Sequence, residues 1–367
     1  MWIIGCDFHP SGQQVYAVNQ EGGEVVEQWL QHGESEEVDK FYSSLPPGSE
    51  VGVETSGNMR WFERKLAQYG HKLRIGDAAK IRGKDTRKQK HDRRDAEHIC
   101  QLMLKDDFPE LEWVPTLEER DLRQLLLHRH KLVRMRAQVK NQLQHIALNQ
   151  GRQKKWQLWT KTGQELLRKL ELEPWTARRR DDLLKLLESL NGYCEGLDAA
   201  VEQAAQQRAE ARLLRTHPGI GPVISLAAVL TLGNVGERFE TSRKLVSYLG
   251  LNPAEDSSGK RRRLGSISKQ GSSFMRLLLI QGAQTAVRGD AELARQYRRL
   301  AVKKNKGIAK VMVARKLAVR VFWMLKTNKT YPELVRMRGS SSHPVVAGKE
   351  TDALSERPAS SSGRSRI

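Results

Sequence analysis

Three cysteines, Cys6, Cys100 and Cys194, are all that 367 residues contain, and no two stand in a CxxC spacing. An odd set without that spacing argues against a disulfide framework and against a zinc site. Long apolar runs are also missing. None approaches the roughly 20 residues that span a bilayer, so no membrane partner is expected. No secretory leader is read ahead of Trp2, which already belongs to the first apolar run. Negative charge is scarce: 43 Asp and Glu stand against 63 Lys and Arg, a net charge of +20. A field of that sign attracts polyanions, nucleic acid above all. The chain reads as cytoplasmic, with two or three domains expected at about 150 residues each.

Against that scarcity, four acids are placed distinctively. Asp7 ends the run Trp2-Ile3-Ile4-Gly5-Cys6, and Glu54 ends Val51-Gly52-Val53. Asp92 and Asp95 lie three apart in a helical pattern. Carboxylates at the tips of buried strands are costly unless compensated. A divalent cation is the usual compensation, and Mg²⁺ (with Mn²⁺ as the alternative) prefers oxygen ligands. Asp92 and Asp95 share one helix face, which can turn toward the strand tips. Taken alone, and flanked by Arg93 and Arg94, that pair reads as surface ion pairs. Taken with Asp7 and Glu54, it reads as a site for one or two cations that activate a nucleophile and stabilise a leaving oxygen.

The fold class is α/β followed by α. Residues 1–105 alternate strands (3–7, 14–18, 25–31, 50–54, 71–76) with helices (35–44, 58–69, 92–104). This βββαβαβα order matches an RNase H-like, or RuvC-like, domain, and places the first and fourth strands side by side. Over 106–214, Leu125, Leu132, Val139 and Ile146 recur every seven residues. Leu183, Leu187, Leu190, Cys194, Leu197, Val201 and Ala204 step by four and three. These seams predict an antiparallel coiled-coil arm. It is interrupted at 150–180 by a basic insertion with Trp156, Trp159 and Trp175, where Pro174 breaks any continuous helix. The tryptophans suit either base stacking or a small core at the arm's tip. Residues 215–335 read as mostly helical, with a loop at about 252–271. Residues 336–367, rich in Ser, Gly, Pro and Arg, read as a disordered basic tail.

Basic segments supply the candidate nucleic-acid contacts. Lys80, Arg82, Lys84, Arg87, Lys88 and Lys90 come just before the paired aspartates, where phosphate contact is expected. Pro218-Gly219-Ile220-Gly221-Pro222 resembles a helix-hairpin-helix turn, in which Gly219 and Gly221 would let backbone N–H groups approach a phosphate. A plain interhelical turn explains it equally well. Asp256-Ser257-Ser258-Gly259-Lys260-Arg261-Arg262-Arg263 sets serines among four cations. Such surroundings favour an alkoxide and an attacked phosphate, though composition alone favours a loop that only grips a backbone.

Together these residues resemble the DEDD-type insertion-sequence transposases, the bridge-RNA-guided recombinases, over about residues 1–330. Gly5-Cys6-Asp7, Val53-Glu54-Thr55-Ser56-Gly57 and Lys90-His91-Asp92-Arg93-Arg94-Asp95-Ala96 resemble the family's acidic motifs. Pro218-Gly219-Ile220-Gly221, Phe239, Leu249-Gly250-Leu251-Asn252-Pro253, Ser258-Gly259, Ile267-Ser268-Lys269-Gln270-Gly271, Arg276 and Leu277-Leu278 resemble its transposase-domain signature. The resemblance implies that Asp7, Glu54, Asp92 and Asp95 hold Mg²⁺, and that Ser258 (Ser257 as fallback) forms a phosphoserine link to DNA. It also implies Lys269 and the cations of the serine loop as nucleic-acid contacts and a structured guide RNA that pairs with element ends and target. Acids and serine would come from different subunits of a homo-oligomer, a dimer up to a tetramer, working on the bacterial or archaeal nucleoid. The very basic serine loop and the 150–180 insertion depart from the family pattern. The rival expectations are a RuvC-like endonuclease that hydrolyses with water, and a non-enzymatic RNA-binding scaffold.

Overall fold

Alternation along β1 (Trp2–Phe8) sorts the N-terminal part of the chain into two apolar layers. The computed structural model describes residues 1–33, 36–55, 59–84, 92–152, 155–256 and 263–340, with the backbone alone at 155, 156 and 338–340. They form two compact units, divided after Leu117.

In the first unit β1 pairs antiparallel with β2 (Gly12–Asn19), and β2 with β3 (Val25–Gln31). After α1 (Glu37–Ser44), β4 (Glu50–Glu54) runs parallel to β1, from Ile3 opposite Glu50 to Cys6 opposite Val53. After α2 (Arg60–Gln68), β5 (Lys72–Gly76) adds parallel to β4, giving the order β3-β2-β1-β4-β5. The helices α3 (Ala78–Lys84) and α4 (Asp92–Leu104) follow. One face of the sheet packs Ile4, Cys6, Val15, Val51 and Val53 against Tyr42, Phe62 and Leu66 of α1 and α2. The other sets Ile3 against Ile99, Cys100 and Met103 of α4. Successive strand side chains point to opposite faces, so Ile3, Gly5 and Asp7 share the α4 side. A Cβ on Gly5 would stand 2.0 Å from the Ala96 carbonyl oxygen, and one on Gly52 2.2 Å from Met103 Sδ. The two glycines therefore let α4 lie directly on the sheet backbone. That close approach brings the first turn of α4 to the tips of β1 and β4.

One departure from expectation falls just before α4. The basic run from Lys80 reads as a loop, yet its first part belongs to α3. Asp77 caps that helix, its Oδ1 accepting from the Ala79 and Lys80 N–H groups at 2.9 and 3.2 Å. Residues 85–91 lie outside the described residues.

The second unit opens with α5 (Leu117–Asn149) and returns along α7 (Pro174–Gln207). Arg208 pairs with Glu118 at 2.8 Å, Arg129 with Asp198, and Arg179 with Gln142 at 3.1 Å. Those three ties make the two long helices antiparallel. Val139, Leu143 and Ile146 meet Leu183, Leu187 and Leu190 between them, and Leu158 and Leu167 of the insertion close the far end. The insertion folds as a 3₁₀ turn (Lys155–Trp159) and α6 (Lys161–Arg168), and Pro174 serves as the first residue of α7. Trp159 packs into this end cluster, with Lys140 over its ring at 5.1 Å, whereas Trp175 is 85% exposed.

Beyond the pair come α8 (Ala209–Leu214), α9 (Pro222–Leu232), α10 (Val235–Arg238) and α11 (Ser242–Tyr248). Then follow α12 (Ser273–Gly289), α13 (Ala291–Lys303), α14 (Lys306–Thr327) and α15 (Tyr331–Ser340). The apolar α9 and the long α14 are buried at the centre of this bundle. The stretch expected as loop contains a short antiparallel pair, β6 (Pro253–Glu255) and β7 (Leu264–Ile267). α15 runs through the first residues of the expected tail, to Ser340, and the rest of that tail lies outside the described residues. Among the described residues no helix is long and apolar enough to cross a membrane.

Candidate metal centre

Asp7 and Glu54 each stand one residue past the last paired position of β1 and β4, Cys6 with Val53. Parallel pairing thus sets the two carboxylates on neighbouring strand tips. Asp92 and Asp95 occupy the first turn of α4, where acids favour the helix N-terminus. The closest contacts run through His9. Its Nε2 lies 3.1 Å from Asp7 Oδ2 and 3.6 Å from Asp92 Oδ2. One ligand atom from each of Asp7, His9 and Asp92 falls within 4.8 Å of the other two. Glu54 accepts from Arg82 Nη2 of α3 at 2.9 Å.

Electrostatics joins Asp95 to the same neighbourhood. Burial pushes the Asp7 carboxyl above its usual pKa, His9 pulls it down, and Asp95 and Asp92 push it up again. The net direction is upward, so His9 does not offset the burial of Asp7 fully. Arg82 is held above its usual value by Glu54 first, with a further contribution from Asp95. The four acids read from sequence therefore share one region of the first unit. Two carboxylates and an imidazole at these separations are a donor set that suits a divalent cation.

His9 is absent from the sequence expectation. It is the first residue past β1, in the turn to β2, where its N–H donates to the Gly12 carbonyl at 2.9 Å, and only its nearness in sequence to Asp7 could have suggested the pair. Trp29 was missed too: it is 42% exposed on β3 with its ring centroid 6.2 Å from that of His9.

The expected nucleic-acid residues are scattered. Lys80 is exposed on α3, and Arg82 and Lys84 engage Glu54 and Asp107. Arg87, Lys88 and Lys90 lie outside the described residues, as do Ser257, Ser258, Lys260, Arg261 and Arg262. The stem around that serine segment is described. The Asp256 N–H donates to the Arg263 carbonyl at 2.9 Å, and the Lys269 N–H to the Gly250 carbonyl at 3.2 Å. Gly250 and Lys269 both have positive φ. Buried Arg276 donates to the carbonyls of Leu249 and Gly271, each at 3.2 Å, and to that of Gln270. Gly219 has φ +99°, and a Cβ there would stand 2.6 Å from the Ala286 nitrogen; a Cβ on Gly221 would meet nothing within 4 Å. Packing on α12 thus accounts for Gly219. A cavity of about 570 Å³ lies along this turn, lined by Arg215, His217, Gly221, Gln281 and Thr285 among others.

A second charged cluster is buried in the helical unit. Arg320 donates to Asp290 and Glu292, each at 2.7 Å, and to His217 Nε2 at 3.2 Å. The Tyr331 hydroxyl also donates to Asp290, and its ring lies 4.2 Å from that of His217.

Comparison with known proteins covers most of the chain. Residues 4–150 match a transposase family model of the DEDD IS110 type, and residues 211–298 match that of the transposase IS116/IS110/IS902 family. A protein of Pseudomonas aeruginosa named "Probable family 20 transposase" is 29% identical over 347 residues, covering 89% of this chain and 97% of the relative. The transposase for insertion sequence element IS1328 of Yersinia enterocolitica is 25% identical over 344 residues, 89% of this chain and 97% of the relative. The transposase for insertion sequence element IS1111A of Coxiella burnetii is 29% identical over 212 residues, 54% of this chain and 55% of the relative.

Proposed function

Because the chain belongs to the IS110-type family of insertion-sequence transposases, enzymes that act on DNA, we propose that it cuts and rejoins DNA strands with a carboxylate-held divalent cation and a serine nucleophile. The observation that carries this reading is the meeting of Asp7 and Asp92 around His9, with Glu54 and Asp95 in the same region. The strand order β3-β2-β1-β4-β5 with α4 packed on it supports an RNase H-like domain, and the antiparallel α5 and α7 support a coiled-coil arm.

Asp7, Glu54, Asp92 and Asp95 would hold the cation, taken as Mg²⁺. Bound there, it neutralises charge at the scissile phosphate. The Ser258 hydroxyl attacks phosphorus and its oxygen forms the new ester bond. The bond from phosphorus to a deoxyribose oxygen breaks, and that oxygen leaves as a hydroxyl carrying the proton. The phosphoserine keeps the energy of the broken bond, so a second deoxyribose hydroxyl reverses the step and reseals a strand. Arg276 and Gly250 would fix the stem that carries the serine segment. Lys80 and the cations of the serine loop would grip backbone phosphates, leaving sequence choice to a paired guide RNA. The serine reaching one acid site would come from another subunit of a homo-oligomer, up to a tetramer, on the nucleoid.

The test incubates the full chain and its co-purifying RNA with plasmid DNA carrying the gene and its flanks, then seeks protein–DNA adducts on denaturing gels. The wild type should give an adduct that Ser258→Ala and Asp7→Asn both lose. Strand cleavage that continues in Ser258→Ala without any adduct would mean hydrolysis by water and would sink the serine mechanism.

A further inference from the structure

His9 is the group at which the acid site departs from a set of oxygens alone. Its Nε2 faces Asp7 Oδ2 at 3.1 Å and Asp92 Oδ2 at 3.6 Å. A ring nitrogen carries one hydrogen and satisfies one oxygen at a time. A cation placed among the three atoms would satisfy all of them at once. Neighbouring ligands around an ion with bonds of about 2.1 Å in octahedral geometry lie about 3 Å apart, near the 3.1 and 3.6 Å from His9 Nε2 to the two carboxylates. Trp29 lies beside the imidazole, with ring planes 30° apart and centroids at 6.2 Å. Neither His9 nor Trp29 enters through the four-acid pattern; His9 comes from the turn after β1 and Trp29 from β3.

We propose that His9 is a ligand of the cation held by Asp7 and Asp92, and that its imidazole tilts the site toward Mn²⁺ over Mg²⁺. The inference rests on the metal reading above and adds a nitrogen donor to it. Mg²⁺ takes oxygen ligands and keeps much of its water. Mn²⁺ shares the carboxylate preference of Mg²⁺ but, as a transition-metal ion, also accepts an imidazole nitrogen that Mg²⁺ binds poorly. An acid set with one imidazole should therefore hold Mn²⁺ more tightly than Mg²⁺. The chemistry assigned to the cation can be met by either ion.

The test is equilibrium binding to the full chain in the absence of DNA. Mn²⁺ binding is followed by loss of the free-ion paramagnetic resonance signal, and Mg²⁺ binding by competition against it. His9→Ala should weaken Mn²⁺ binding at least about tenfold, the lower end of what loss even of a partner behind a metal ligand costs, and should weaken Mg²⁺ binding less. His9→Asp, which replaces nitrogen by oxygen, should recover binding and move the preference back toward Mg²⁺. Asp7→Asn keeps two failures apart. If it abolishes binding while His9→Ala changes neither ion, the metal site stands and the role of His9 is wrong. If His9→Ala tightens both ions, the imidazole competes for the cation's place and the proposal fails. If Asp7→Asn leaves Mn²⁺ binding intact, the acid site itself is wrong.

Discussion

Arg320 and Asp7 are both ionisable groups largely withdrawn from solvent, and the two units balance their charge differently. Arg320 is 1% exposed and meets Asp290, Glu292 and His217. Burial pushes Asp290 up, yet the Tyr331 hydroxyl, the Leu293 N–H and Arg320 together hold it below the usual carboxylate range. The charges there close on one another. At the tip of β1 the sum comes out the other way. Burial of Asp7 outweighs His9, and two further aspartates deepen the deficit. A buried acid whose partners outweigh desolvation behaves as part of the scaffold. One whose desolvation outweighs its partners has room for a cation, as perturbed groups at functional sites do.

The largest effect expected from breaking that contrast is on activity. Asp7→Asn should lower strand cleavage by orders of magnitude while leaving the fold at least as stable. The sign follows from the raised carboxyl pKa: the fold disfavours the charged form that the substitution removes. Cleavage assays alongside urea unfolding check both halves. Arg320→Met should do the reverse. It leaves Asp290 buried without its cation and should cost about 3–5 kcal/mol in urea unfolding.

A smaller effect comes from pH. Burial first, then Arg320, lowers the His217 pKa from 6.5 to about 4. The unfolded chain binds more protons than the fold between those values. Stability from this group is full above pH 6.5 and falls as pH drops to about 4, by about 3 kcal/mol over the window. Unfolding midpoints measured across it should decline less steeply in His217→Phe than in the wild type. The smallest effect belongs to an exposed pair. Arg178 meets Asp182 one helical turn along α7, and Arg178→Ala should leave the urea unfolding midpoint nearly unchanged. A loss as large as that from Arg320→Met would erase the distinction between closed and surface charge.

Much of the first unit was legible because apolar alternation and turn residues mark its strands directly. Asp7 and Glu54 could be placed at strand ends because the runs before them are short and uninterrupted. His9 was not found because it stands in the turn after β1, where no strand or helix period marks it. α3 was hidden because its positive charge reads as solvated loop, whereas the Asp77 cap organises it locally. β6 and β7 were hidden among Ser, Gly and Arg, residues that carry little strand signal. The Arg320 cluster had no local signature at all. Its partners stand 30 and 103 residues away, at Asp290 and His217, and only packing brings them together.

Whether the tips of β1, β4 and α4 hold a divalent cation is tested most directly by Mg²⁺-dependent unfolding. A ligand that binds the fold alone stabilises it by about 3 kcal/mol at a hundred times its dissociation constant. Scanning calorimetry of the full chain should show a transition that rises with Mg²⁺ in the wild type and stays fixed in Asp92→Asn. No shift in the wild type, or the same shift in both proteins, would contradict the account.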